Sequence, residues 1–117
     1  MQEAQAEIQV HNGIAFLAKS VDLDAQSIKD LAFALGKDRD DLFLVLGSTK
    51  GDKPILSCYI SKKLVSEKGM DAGKVVRELG QYIQGGGGGQ AFFATAGGKN
   101  PAGIPQALSA AKDLISS

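Results

Sequence analysis

The spacing of hydrophobic positions changes several times along the chain, and each change marks an element. Ile8 and Val10 alternate with polar neighbours, Asn12-Gly13 is a strong type I′ turn signal, and Ile14 and Phe16 resume the alternation, which predicts a hairpin. From Asp24, a candidate N-cap, Ile28, Leu31, Ala32 and Leu35 recur on one helical face, and Gly36 is expected to close that helix. Leu42 to Leu46 is a continuous apolar run, the pattern of a strand covered on both faces. "KGDK" reads as a turn, and "PILSCYISKKL" as a strand with Pro54 at its start, where a missing N–H does least harm. Leu64 to Met70 is irregular or a short helical turn. Asp71 then opens a helix with Val75, Val76, Leu79 and Ile83 on its apolar face. Gly73 and Gly80 on that helix imply close packing against a neighbour, unless they are merely tolerated. Beyond Gly85–Gly89, "QAFFATAG" is a buried strand and Gly97-Gly98 turns the chain. Asn100-Pro101 supplies an N-cap and first-turn proline for a last helix reaching about Ile115, with Pro105 bending its first turn or delaying its start.

The order is therefore ββαββαβα, an α/β class with a mixed, mostly covered sheet of about five strands. The 117 residues are expected to form one small domain, residues 1–117, with one modest core. The abrupt polar opening "MQEAQAEIQ" points to one end of a longer chain. Thirteen basic and thirteen acidic residues give zero net charge, so there is no bulk electrostatic footprint for nucleic acid, although a local basic stripe remains open. A lone cysteine, Cys58, excludes an internal disulfide and reads as a buried, inert thiol. Nothing resembles a signal peptide or a run of the roughly 20 apolar residues that a membrane span needs. The expected compartment is a reducing cytoplasm, with no membrane partner.

The five consecutive glycines between a helix and an apolar strand demand a reason, because each costs about 0.5–1 kcal/mol relative to alanine inside a regular element. A flexible linker fits poorly between Ile83 and Phe92-Phe93. A Walker-type loop fails for want of a following "GK[ST]", and both that loop and a dinucleotide fingerprint need strand-to-helix order. Two readings stay open. One is a glycine loop whose amides form an anion-binding concavity or let a polynucleotide backbone approach; the other is a structural crossing too tight for side chains.

Catalytic constellations are missing from the pattern. His11, the only histidine, sits beside the hairpin turn. There is no histidine–cysteine cluster for a metal. Asp38, Asp40 and Asp41 read as a solvated loop rather than a divalent-metal clasp, and Ser57, Ser61 and Thr95 lack a nameable partner base.

The segment "GQYIQGGGGGQAFFATAGGKNPAGIPQALSAAKDLI" resembles the signature of the DHH-associated nucleic-acid-binding domain family, in the form found at the C-terminus of bacterial alanyl-tRNA synthetases. Gly87, Gly88 and Gly89 match its triple glycine; Ala94, Ala96, Gly97 and Gly98 match its A-x-A-G-G strand end; Pro101 and Leu108 match its closing helix. The upstream hairpin, helix and paired strands fit as well, so the resemblance covers nearly the whole chain. Two positions depart from it: Gly86 and Gln90 stand where the family often carries a basic residue. The resemblance implies a non-catalytic tRNA-binding and scaffold domain that holds tRNA(Ala) for aminoacylation and editing modules elsewhere in a parent alanine-tRNA ligase. It implies no cofactor in this segment, with ATP, magnesium and zinc belonging to the parent's other modules. The remaining domains of the synthetase are expected partners. A homodimer is among them as well, since some members contribute to dimerisation. Two other functions stay in play: a protein–protein or dimerisation module, and the substrate-binding lobe of a DHH-type phosphoesterase.

An RNA surface needs cations for phosphates and backbone or polar tips for sugars. The expected nucleic-acid-binding residues are Gly85, Gly86, Gly87, Gly88, Gly89 and Gln90, with Lys74 and Arg77 on the preceding helix and Lys99 after Gly97-Gly98. Lys62, Lys63 and Lys68 would extend a stripe. Tyr82 is a candidate stacking ring, whereas Phe92 and Phe93 are expected in the core.

Overall fold

Continuous apolar runs, amphipathic helices and small residues assemble here into one mixed sheet with helices on both faces. The computed structural model describes residues 9–11, 14–21, 23–37, 39–49 and 53–116. Strands β1 (Gln9–His11) and β2 (Ile14–Val21) precede helix α1 (Ala25–Gly36), and β3 (Leu42–Ser48) and β4 (Ile55–Ile60) precede helices α2 (Lys62–Lys68) and α3 (Ala72–Gly80). A 3₁₀ turn (Gln81–Ile83) leads to β5 (Gly86–Gly89) and β6 (Phe93–Gly97). A second 3₁₀ turn (Pro101–Gly103) leads to α4 (Ile104–Ser116). The sheet order is β1-β2-β3-β4-β6-β5, with β2 and β3 the parallel pair and the other neighbours antiparallel.

The alternation of side chains divides the core in two. Leu42, Leu44 and Leu46 of β3, with Ala15 and Leu17 of β2, face Ile28, Leu31, Ala32 and Leu35 of α1. Phe43 and Val45 point the other way, to a larger cluster where β2, β4 and β6 meet α2, α3 and α4. A central strand buried on both faces needs apolar residues at every position, which is why β3 carries an unbroken run. Ala94 and Ala96 of β6 are small enough to admit α3 closely.

The caps at Asp24 and Asp71 form as expected: Asp24 Oδ1 accepts from the Ser27 N–H at 2.8 Å, and Asp71 Oδ1 from the Gly73 N–H at 2.8 Å. Ser61 ties β4 to the start of β3, its Oγ accepting the Leu42 N–H and donating to the Arg39 carbonyl, both at 3.0 Å. Pro105 delays the last helix: the 3₁₀ turn at Pro101–Gly103 comes first and α4 begins at Ile104. Asn100 begins that turn without a side-chain cap; its amide donates instead to the Tyr82 carbonyl at 3.4 Å.

Helix α1 ends at Gly36 as expected, and a Cβ there would strike the Tyr59 ring. Three expectations are corrected. Lys62–Lys68 is a full helix, ended by Gly69 at φ 68°. Phe92 is not a core strand residue but sits half-buried at a bend, with the Lys62 ammonium 5.4 Å from its ring centroid. The glycine run is not a loop: β5 pairs with β6 and brings the sheet to six strands. The expected turns at Asn12-Gly13 and Lys50–Asp52, and Asp38, lie outside the described residues. No helix among the described residues is long and apolar enough to cross a membrane.

Candidate nucleic-acid interface

Strand β5 is an edge strand made of glycine, paired with β6 on one side only, through Gly86–Gly97, Gly87–Ala96, Gly88–Thr95 and Gly89–Ala94. Its glycines divide into two sets by the strand's twofold alternation. Gly85, Gly87 and Gly89 face β6 and α3. A Cβ at Gly85 would run into the Gly97 carbonyl. One at Gly87 would lie 2.5 Å from the Ala96 Cα, and one at Gly89 would lie 2.8 Å from the Ala94 Cα. Gly89 also has φ 155°, a conformation that side chains disfavour. The helix closes on this set through its own glycines: a Cβ at Gly80 would sit 3.2 Å from the Gly85 carbonyl oxygen, and one at Gly73 3.4 Å from that of Gly89. The expected close packing at Gly73 and Gly80 is therefore present, and its partner is the glycine strand.

Gly86 and Gly88 are different. A Cβ at Gly86 would meet nothing within 4 Å, and one at Gly88 only the Arg77 guanidinium, 3.9 Å away. The structural reading, an approach too tight for side chains, therefore holds for Gly85, Gly87 and Gly89, and packing does not require glycine at Gly86 or Gly88. The extended backbone is not a concavity of converging amides, because pairing with β6 holds it straight. Apart from the half-exposed Gly88, the run from Gly85 to Gly89 is exposed, and no described strand pairs with its outer edge.

Cations stand at both ends of this edge. Arg77 reaches Gly88 from α3, and Lys74 is exposed one turn earlier on the same helix. Lys99 and Lys53 flank a groove of about 450 Å³ bordered by Gln84, Gly85, Gly97 and Gly98. Lys29 lies on a trough of about 380 Å³ with Gly88, Gly89 and Gln90. The fold therefore gathers Gly85–Gly89, Gln90, Arg77 and Lys99. Lys63 and Lys68 remain on the exposed surface of α2, with no contact that places them at β5. Tyr82 is 37% exposed but shares its groove with the carboxylates of Glu78 and Asp113, poor company for phosphate. Sequence reasoning missed Lys29 and Lys53, which reach the edge from α1 and the β3–β4 connection; only Lys29, four residues before Phe33 on one helical face, left a local signal.

Burial, and secondarily the nearby Asp71 carboxylate, push the Cys58 thiol well above its ordinary range, away from the nucleophilic form. Among the described residues no three His, Cys, Asp or Glu side chains group to hold a metal.

The DHHA1 domain family matches residues 13–117. The chain belongs to that family. As a DHHA1 domain it is 61% identical to the alanine-tRNA ligase of Christiangramia forsetii over 93% of the chain, and 49% identical to that of Flavobacterium psychrophilum over 94%. It spans about 12% of the length of either ligase. The crystal structure of the C-Ala domain from Aquifex aeolicus alanyl-tRNA synthetase superposes with a TM-score of 0.84 at 27% identity, covering 94% of this chain and 98% of that one.

Proposed function

We propose that this DHHA1 domain is the tRNA-binding, non-catalytic part of an alanine-tRNA ligase, working in the cytoplasm beside that enzyme's other domains and presenting tRNA(Ala) to them. The observation that carries the reading is the exposed glycine edge of β5 with Arg77 against it. An extended edge offers N–H donors and C=O acceptors in alternation, with no side chains to hold a partner off. That suits ribose 2′-hydroxyls, which both donate and accept, while the flanking cations suit phosphates. The ligase names of its relatives support this assignment over a phosphoesterase lobe. ATP, magnesium and zinc would act in the ligase's other modules.

Titration of the chain with tRNA at about 50 and 200 mM salt tests it. Binding should be salt-sensitive and weakened about tenfold or more by Lys74→Glu with Arg77→Glu. Absence of binding at low salt would end the proposal. The same free edge favours a second reading, pairing of β5 with a strand of another copy or of the parent ligase. Solution mass measured against concentration separates the two.

A further inference from the structure

We propose that the trough between α1 and β5 receives one unstacked nucleobase of a bound RNA, an inference that rests on the RNA-binding function proposed above. Helix α1 packs on β2, β3 and β4, and Phe33 extends from it to Phe93 of β6. Beyond Phe33 the sheet face is open, leaving the trough of about 380 Å³, a volume in the range of small-ligand clefts.

Its wall is aromatic and held in place. The Phe33 ring centroid lies 5.2 Å from Tyr59, edge-on, and 5.4 Å from Phe93, so two neighbours fix the ring while part of it stays exposed. Its floor at Gly88 and Gly89 has no side chains. Gln90 and Thr95 add groups that both donate and accept, as the edge of a base requires. The Gln90 backbone is anchored by donation of its N–H to the Phe93 carbonyl at 2.9 Å. Lys29 is the charged residue of the lining, which holds no carboxylate. A flat aromatic wall, a bare floor, amphoteric tips and one cation fit a neutral heterocycle attached to a phosphate. The trough opens onto β5, so a strand whose sugars follow the glycine edge would bring a base to it. Stacking on aromatic side chains is the usual way proteins hold unpaired RNA bases.

The test is binding of the chain to a short unstructured RNA and to a fully paired RNA duplex of equal length, followed by fluorescence anisotropy at about 50 mM salt. The single strand should bind more tightly. Phe33→Leu, which keeps an apolar side chain against Tyr59 and Phe93, should weaken single-strand binding about tenfold and leave the duplex unchanged. Gln90→Ala, at an exposed position, should weaken it severalfold and gives the same information if the Phe33 variant does not fold. Ring protons of Phe33 and Phe93 should shift on adding the single strand. Equal affinity for both RNAs, with neither variant weakening the single strand and no ring shifts, would overturn the trough while leaving RNA binding intact. Absence of binding to either RNA, and to tRNA, would remove the function and the trough together.

Discussion

Gly80 and Gly85 meet backbone to backbone: the Gly85 N–H donates to the Gly80 carbonyl at 3.0 Å, and a Cβ on Gly80 would lie 3.2 Å from the Gly85 carbonyl oxygen. This junction holds α3 against the edge strand, and with it Arg77, which lies between Gly73 and Gly80 in sequence. Close approach of a helix to bare backbone thus fixes both the strand and the cation beside it.

Alternation along β5 makes a stability prediction. Gly87→Ala drives a methyl into the β6 backbone and should destabilise the chain by about 1–3 kcal/mol. Gly86→Ala meets open space and should stay within about 0.5 kcal/mol of the parent. Urea denaturation compares the two; equal losses would show that the whole run, rather than every second residue, is confined.

The same open position should accept a cation. Gly86→Lys places an ammonium on the edge without displacing a neighbour. RNA affinity should rise at low salt, and the slope of log affinity against log salt should steepen by about 0.7–0.9, the value of one added phosphate contact. Unchanged slope and affinity would place the RNA away from β5.

Cys58 gives a pH prediction. Its thiol is fully buried on β4, and burial first, the Asp71 carboxylate second, raise its pKa in the folded state. A raised native value favours the protonated form, so its contribution to stability is complete below the unfolded thiol value of about 8.5 and is lost as pH climbs toward the folded value. Desolvation raises Tyr59 in the same direction. Stability by urea denaturation should fall between about pH 8 and 10, and Cys58→Ala should flatten that fall relative to its own value at pH 7. The native thiol should resist a soluble disulfide reagent at pH 8 and react once urea unfolds the chain.

Local signals carried much of this fold. Leu42–Leu46 announced a strand buried on both faces, Asp24 and Asp71 announced their helices, and Pro105 announced a delayed start, because each rests on contacts within a few residues. The A-x-A-G-G pattern and the glycines carried the family. Gly36 marked the end of α1, but that it also admits the Tyr59 ring was not legible, because that ring comes from a strand far away in sequence. Helix α2 was faint because only Leu64 is buried on it, too little apolar spacing to stand out.

The chain by itself showed that the bare run Gly85–Gly89 needs a reason and that Gly73 and Gly80 either pack closely against a neighbour or are merely tolerated, since the absence of side chains is written in the residues. Only the tertiary structure decided that these two sets of glycines meet each other, that the run pairs as a strand, and that packing confines only its alternate glycines. It also brought Lys29, Lys53 and Phe33 to the edge from elements far away in sequence. The physical reason is that periodicity reports which face of an element is covered, while pairing register and helix placement depend on contacts between residues that the sequence keeps apart.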